Sequence, residues 1–247
     1  MKTLGRGARL SGNTLKLIAA TLMVIDHTGA LLFPELLILR IIGRPGFTLF
    51  AFLIAEGCRY TRHRVKHFLS VFGIAALCQV VFTVATGSYH MNALLTFSLA
   101  ILLCYALDLS KCLCVSGDRA GLVLGLLFFP LSVVAAWALT TAVSFDYGFF
   151  GCMVPVFASL FFPPRVGRNP WQRLDRIEVH VAAIAVGQLL LSGVSHPITY
   201  AALASLPLLL LYSGKRGRLR LKWFFYLFYP AHFLLLVGIA AAIMYFR

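Results

Sequence analysis

Residues 15–33 read LKLIAATLMVIDHTGALLF, an almost wholly apolar run of 19. That length crosses the hydrocarbon core of a bilayer as a helix. Near its middle Asp26 and His27 stand side by side. An aspartate at the centre of a membrane helix costs roughly 2.5 to 3.5 kcal/mol, and an ionisable residue at that depth marks a functional site by default. If the helix ended there, Asp26-His27 would sit at the interface, with Gly29 opening a turn. The apolar run continues through Ala30, Leu31, Leu32 and Phe33, which argues against that ending.

The rest of the chain follows the same pattern. Apolar residues make up 60% of 247 and charged residues 12%, with mean hydropathy +0.89. A water-soluble domain carries about 25% charged residues, so this is an integral membrane protein. The apolar runs near 20 residues select helices; a barrel would show shorter alternating segments. The expected fold is all-α, a polytopic bundle of about nine transmembrane helices in one domain over residues 1–247. The helices are predicted at 15–33, 36–57, 68–86, 93–109, 120–141, 147–162, 177–193, 198–213 and 223–246, the second kinked near Pro45.

The net charge is +14, but the basic residues come in short clusters between apolar runs. That is the pattern that orients membrane helices, and no nucleic-acid partner is expected. With the N-terminus in the cytoplasm, nineteen of the 22 Lys and Arg fall in inside segments and only Arg247 lies outside. Arg40 and Arg44 remain, both within the second helix. The predicted topology is N-in, C-out. The first apolar run is too long for a cleavable signal and lacks a small-residue cleavage site after it. No internal repeat suggests a transporter built from two halves. Cys58, Cys78, Cys104 and Cys152 read as small core residues, and Cys112-Leu-Cys114 is a weak metal or redox signal. His63 and His67 are four apart, but four Lys and Arg around them would repel a cation, so no metal is expected.

The polar residues within the spans carry the chemistry. Arg40 and Arg44 share one helix face, extended by Thr48. Arg44 lies about 12 Å along its helix and His27 about 18 Å along the first, so their levels overlap. Neighbours on a helix do not face each other. Asp26 is therefore expected to pair with Arg40 or Arg44, leaving His27 free. An ion pair that merely locks the hairpin would explain Asp26 and one arginine, but not the second arginine or His27. Two arginines against one mid-membrane carboxylate favour an anionic ligand, and the planar arginine fork suits phosphate. Glu56, near Arg59, reads first as an interfacial salt bridge. His232 lies in WFFYLFYPAHFLLL, where Tyr226, Tyr229 and His232 roughly share a face and Pro230 loosens the backbone; a lone histidine there is usually a core residue. Asn92 and Asp146 read as helix N-caps.

LMVIDHTGALLFP, LRIIGRPGFTLFAFLIAEGCRYTRHR, NALLTF, DYGFFG, YSGKRG and FFYLFYPAHF together resemble the TraX family, membrane proteins implicated in N-terminal acetylation of conjugative pilin. The most specific pieces are Asp26-His27, Gly43-Arg44, Asn92, Tyr147-Gly148 and His232. Thr48 departs from the family, whose members often have proline there, which bears on the bending of the second helix. The resemblance implies an acyltransferase of the bacterial cytoplasmic (inner) membrane. It would move an acetyl group from cytoplasmic acetyl-CoA, or another acyl-CoA, to an amine or hydroxyl of a protein or glycan acceptor. His27 would be the general base. Asp26 would orient it or neutralise an arginine, and His232 would be a second acid/base or a donor-binding group. Arg40 and Arg44 would bind the donor or the oxyanion, with Asn92 and Tyr147 as further oxyanion donors and Tyr229 and Glu56 in the binding set. Direct transfer and an acetyl-histidine intermediate both stay open. The acceptor does not carry over, because many family members occur in bacteria without conjugative pili. A second class of function is a proton-coupled carrier for an organic anion, with Asp26, His27, Arg40 and Arg44 as the coupling site. A third is an assembly partner of a surface appendage.

Overall fold

The structure, a computed structural model, describes residues 10–115, 118–166, 170–218 and 221–245. Lys2, Arg6, Arg9, Arg168, Arg220 and Arg247, counted above for orientation, lie outside the described residues, as do the side chains of Lys222 and Tyr226. In order the helices are α1 (Gly12–Leu31), α2 (Leu37–Gly43), α3 (Pro45–Tyr60), α4 (Arg64–Thr86), α5 (Ala93–Val115), α6 (Arg119–Ala142), α7 (Gly148–Ser159), α8 (Trp171–Leu174) and α9 (Ile177–Val194). A 3-10 helix (Pro197–Ser205), α10 (Leu206–Leu210) and α11 (Lys222–Tyr245) complete the chain. Among the described residues there is no strand, only two isolated bridges.

Six described helices are long and apolar enough to cross a membrane: α1, α2 with α3 as one span, α4, α5, α6 and α9. Three further apolar helical stretches are shorter, at Gly148–Ser159, Pro197–Leu210 and Leu227–Ile243. Several predicted bounds differ in detail, and the kink expected near Pro45 is present. The span predicted over 36–57 is divided at Arg44, because Pro45 has no N–H to continue the ladder and opens α3 instead. The segment predicted over 198–213 begins as a nine-residue 3-10 helix, with Pro197 at its start and Pro207 just beyond it.

The chain divides into two compact units, one over Ala51–Leu191 and one formed by Thr3–Phe50 with Ser192–Arg247. In the mid-chain unit α5 packs on α4, α6 and α7, around Ile101, Leu103, Cys104, Cys152 and Val156. Leu124, Leu126, Leu131 and Trp137 of α6 are exposed by more than half. Such a face is stable against lipid, not water. At the start of α5, Met91 N–H donates to Ser144 O at 2.9 Å and Asp146 N–H to Met91 O at 2.8 Å. About 27 Å along the same helix, the connections after α3 and α7 meet the end of α5 near Lys111. Arg59 of α3 binds Asp175, and Arg165 donates to the carbonyl of Thr61 at 2.8 Å.

In the terminal unit, α1 starts at Ser11, whose Oγ accepts from Thr14 N–H at 3.2 Å. Gly12 and Asn13 N–H donate to the carbonyls of Lys215 and Arg216 at 2.8 and 2.9 Å, so the basic loop after α10 satisfies the open end of α1. The α1–α2 hairpin is held by glycines. A Cβ on Gly43 would meet Asp26 Cβ at 2.4 Å, and one on Gly29 would meet Leu39 Cβ at 2.8 Å. Small residues let membrane helices approach this closely, which van der Waals packing rewards. Gly43→Ala must push α2 off α1 and is expected to destabilise the protein by about 1–3 kcal/mol or more, read as a lower midpoint of thermal unfolding in detergent. Gly73→Ala, on α4 with open space around it, is the control and leaves the midpoint unchanged or raises it.

Candidate functional site

Two polar clusters of the terminal unit start from adjacent residues of α1. Asp26 is buried and takes both arginines of the second span: Arg40 Nη1 lies 2.9 Å from Oδ2, and Arg44 Nε lies 3.5 Å from Oδ1. Arg40 Nη1 also donates to the Asp26 carbonyl at 3.2 Å. The spacing of four puts both guanidiniums on one side of α2, and the absent side chain at Gly43 brings that side onto Asp26. The sequence expectation of one partner for Asp26 is thus corrected to two. The cluster carries one net positive charge.

His27, on the neighbouring face of α1, is not left free as the sequence suggested. Its Nδ1 lies 2.9 Å from Nε2 of His232 in α11, and His232 Nδ1 lies 2.9 Å from the carbonyl of Phe228. The imidazole rings are nearly parallel, at 7°, with centroids 5.2 Å apart. That distance matches the bond plus two ring radii, so the rings lie end to end with the bond along their common plane. Phe228 and Tyr229 brace His232, the first near-parallel at 5.0 Å and the second edge-on at 5.5 Å. Bond direction follows from the last acceptor. A carbonyl only accepts, so His232 Nδ1 carries the proton. With both rings neutral, His232 Nε2 then accepts and His27 Nδ1 donates. The remaining nitrogen of His27, Nε2, holds a lone pair, and the tautomer that a general base requires is fixed from one turn of α11.

The family profile described as TraX protein matches residues 11–240, a stretch that contains both clusters. The chain belongs to the TraX family. No curated protein and no solved structure matches it. As a TraX protein it is a helical, multi-pass membrane protein, with its Asp-His pair on the first helix and its second histidine on the last.

The other candidates of this TraX chain lie in the mid-chain unit. Asn92 is spent on the fold: Oδ1 accepts from Leu94 and Leu95 N–H at 3.0 and 3.2 Å, and Nδ2 donates to Ala75 O at 2.9 Å and Gln79 Oε1 at 3.1 Å. This is the predicted N-cap of α5. Asp146 is not the cap of α7; Tyr147 is, with φ 61 and ψ 0. It is the one non-glycine residue with positive φ among the described residues, and Thr96 Oγ1 anchors the turn through the Asp146 carbonyl at 2.6 Å. Gly151 leaves room for it, since a Cβ there would meet Tyr147 Cβ at 2.3 Å. Glu56 is buried. Sequence reasoning matched it with Arg59, but Arg59 binds Asp175 with both Nη atoms, at 2.8 and 2.7 Å. Asp175 also meets His180 Nε2 at 3.1 Å. Burial alone would raise the Asp175 pKa, but the hydrogen bonds from His180 and Arg59 outweigh it and hold this carboxyl below its ordinary range. Sequence reasoning missed the Arg59–Asp175–His180 cluster, whose one signal is the Asp175/His180 spacing at the start of α9.

Proposed function

We propose that this TraX protein is an acyltransferase that moves an acetyl group from acetyl-CoA to an amine or hydroxyl of a membrane or surface acceptor. The observation that carries the reading is the directed pair His27–His232. An imidazole whose Nδ1–H is committed to a second imidazole offers Nε2 as a base. That base takes the proton from the acceptor as its nitrogen or oxygen attacks the thioester carbonyl. The charge that develops on His27 is shared along the bond to His232. The new C–N or C–O bond forms first; the C–S bond then breaks, and the proton on His27 passes to the departing thiolate as CoA–SH. Arg40 and Arg44 supply the positive charge for the anionic donor and for the oxyanion. Asp26 holds both in place. Tyr229 supports His232.

In this reading the protein sits in the bacterial inner membrane with its N-terminus and basic connections in the cytoplasm, where acyl-CoA is made. The short helical stretches would complete the nine spans. The gathering of basic connections at one end of the mid-chain unit supports that orientation. The pilin N-terminus is the acceptor that the family resemblance suggests; a glycan is the other candidate. The test is turnover of labelled acetyl-CoA by the purified full chain with an amine or hydroxyl acceptor. The expected result is release of CoA with label on the acceptor. Counterflow of an organic anion in proteoliposomes, with no binding of acetyl-CoA, would replace the reading with a carrier.

A further inference from the structure

The mid-chain unit holds a cavity of about 270 Å³ at its basic end, lined among others by Arg59, Tyr105, Asp108, Lys111 and Arg165. Sequence reading placed Lys111 in a loop, but α5 runs on to Val115 and Lys111 is buried in it. Its ammonium donates to the carbonyls of Ser159 and Phe162, each at 3.0 Å. An ammonium has three N–H groups, so one remains.

The cations around the cavity differ in their partners. Arg59 is neutralised by Asp175, and Arg64 is paired with Asp108. Lys111 and Arg165 have backbone carbonyls as partners and no carboxylate in contact among the described residues. The bonds of Arg165 run through Nη2, to the carbonyls of Cys58, Arg59 and Thr61. Carbonyls orient a cation without neutralising it. Two cations without a carboxylate in contact, one buried and one exposed, thus face a space larger than a small inorganic anion fills; Asp108, the carboxylate that lines it, is held by Arg64. Leu107, Pro163 and Pro164 give that space an apolar wall. A lysine serving only to tie the end of α7 to α5 would require neither the cavity nor the second cation.

We propose that this cavity binds a phosphate ester, its phosphoryl oxygens between Lys111 and Arg165 and its organic part against the apolar wall. The ester belongs either to a soluble nucleotide-like molecule or to an anionic lipid headgroup. The proposal does not rest on acyl transfer: a chain that binds the ester and transfers no acetyl leaves it standing.

The test is calorimetric titration of the full chain in neutral detergent. One arm uses adenosine 3′,5′-bisphosphate, with adenosine as the control. The other uses mixed micelles containing phosphatidylglycerol, with phosphatidylcholine as the control. Binding of one phosphate probe and not its control is expected, and the probe that saturates identifies the source. Lys111→Gln and Arg165→Gln should each weaken binding at least tenfold, and His27→Ala should leave it unchanged. Higher salt should weaken binding, most through the exposed Arg165. Should Lys111→Gln not fold, Arg165→Gln, on an exposed connection, decides. Failure of both probes to bind, or Arg165→Gln binding like the parent chain, overturns the proposal.

Discussion

Replacing His27 with Ala is expected to slow acetyl transfer by roughly 10² to 10⁴-fold, the range for loss of a general base. The effect should fall on kcat, with the KM for acetyl-CoA little changed, because Arg40 and Arg44 keep their partner. His232→Ala is expected to cost less, roughly 10 to 100-fold, since His27 remains but loses the group that fixes its tautomer and shares its charge. The double variant should be no slower than His27→Ala alone. Residues that act as one unit are not additive, and a relay without its first member has nothing to relay. Imidazole added to His232→Ala should restore part of the rate, which a purely packing role for the second ring would not allow. If His232→Ala turns over like the parent chain, the His27–His232 bond is a contact of the fold and the base acts alone. Thermal unfolding in detergent should fall only modestly in His27→Ala, because His27 is half-buried and its loss empties little of the core.

Some of this site was legible in the sequence. Asp26, Arg40 and Arg44 stand out because charge in an apolar run is costly, and the spacing of four puts the arginines on one face. Spacing could not say that both reach Asp26; that depends on Gly43, which acts in the fold as clearance for Asp26. The pairing of His27 with His232 spans 205 residues, and helical period carries no information on which helices meet across such a distance. The Phe228 carbonyl that sets the proton direction is backbone, invisible to any reading of residue types. The helices themselves were legible from apolar runs, with errors where polarity misled. Ser110-Lys111 looked like the start of a loop, yet a lysine can stay helical when carbonyls of a neighbouring segment take its ammonium. The 3-10 stretch at Pro197–Ser205 was missed because its apolar content matches an α-helix.

Asp26→Asn is expected to have the largest effect on stability. The carboxylate is the shared counter-charge of two guanidiniums with side-chain exposures of 24% for Arg40 and 11% for Arg44. Removing one partner of a buried pair typically costs about 3–5 kcal/mol, because the remaining charge is left uncompensated. Here two charges would be left, and they repel. Asp26→Asn should therefore lower the unfolding midpoint in detergent sharply. Adding Arg40→Gln should recover much of that loss by removing the closer of the two stranded charges. Turnover separates two roles for the cluster. If the ion pairs serve only to hold α1 to α2, the double variant recovers acetyl transfer along with its stability. If the arginines also meet the anionic donor, stability returns while the KM for acetyl-CoA stays raised, since one of the two cations that would bind it is gone. The second outcome is expected. One ion pair would suffice to close a hairpin already drawn together by Gly29 and Gly43, and the second arginine is positive charge that the hairpin does not need.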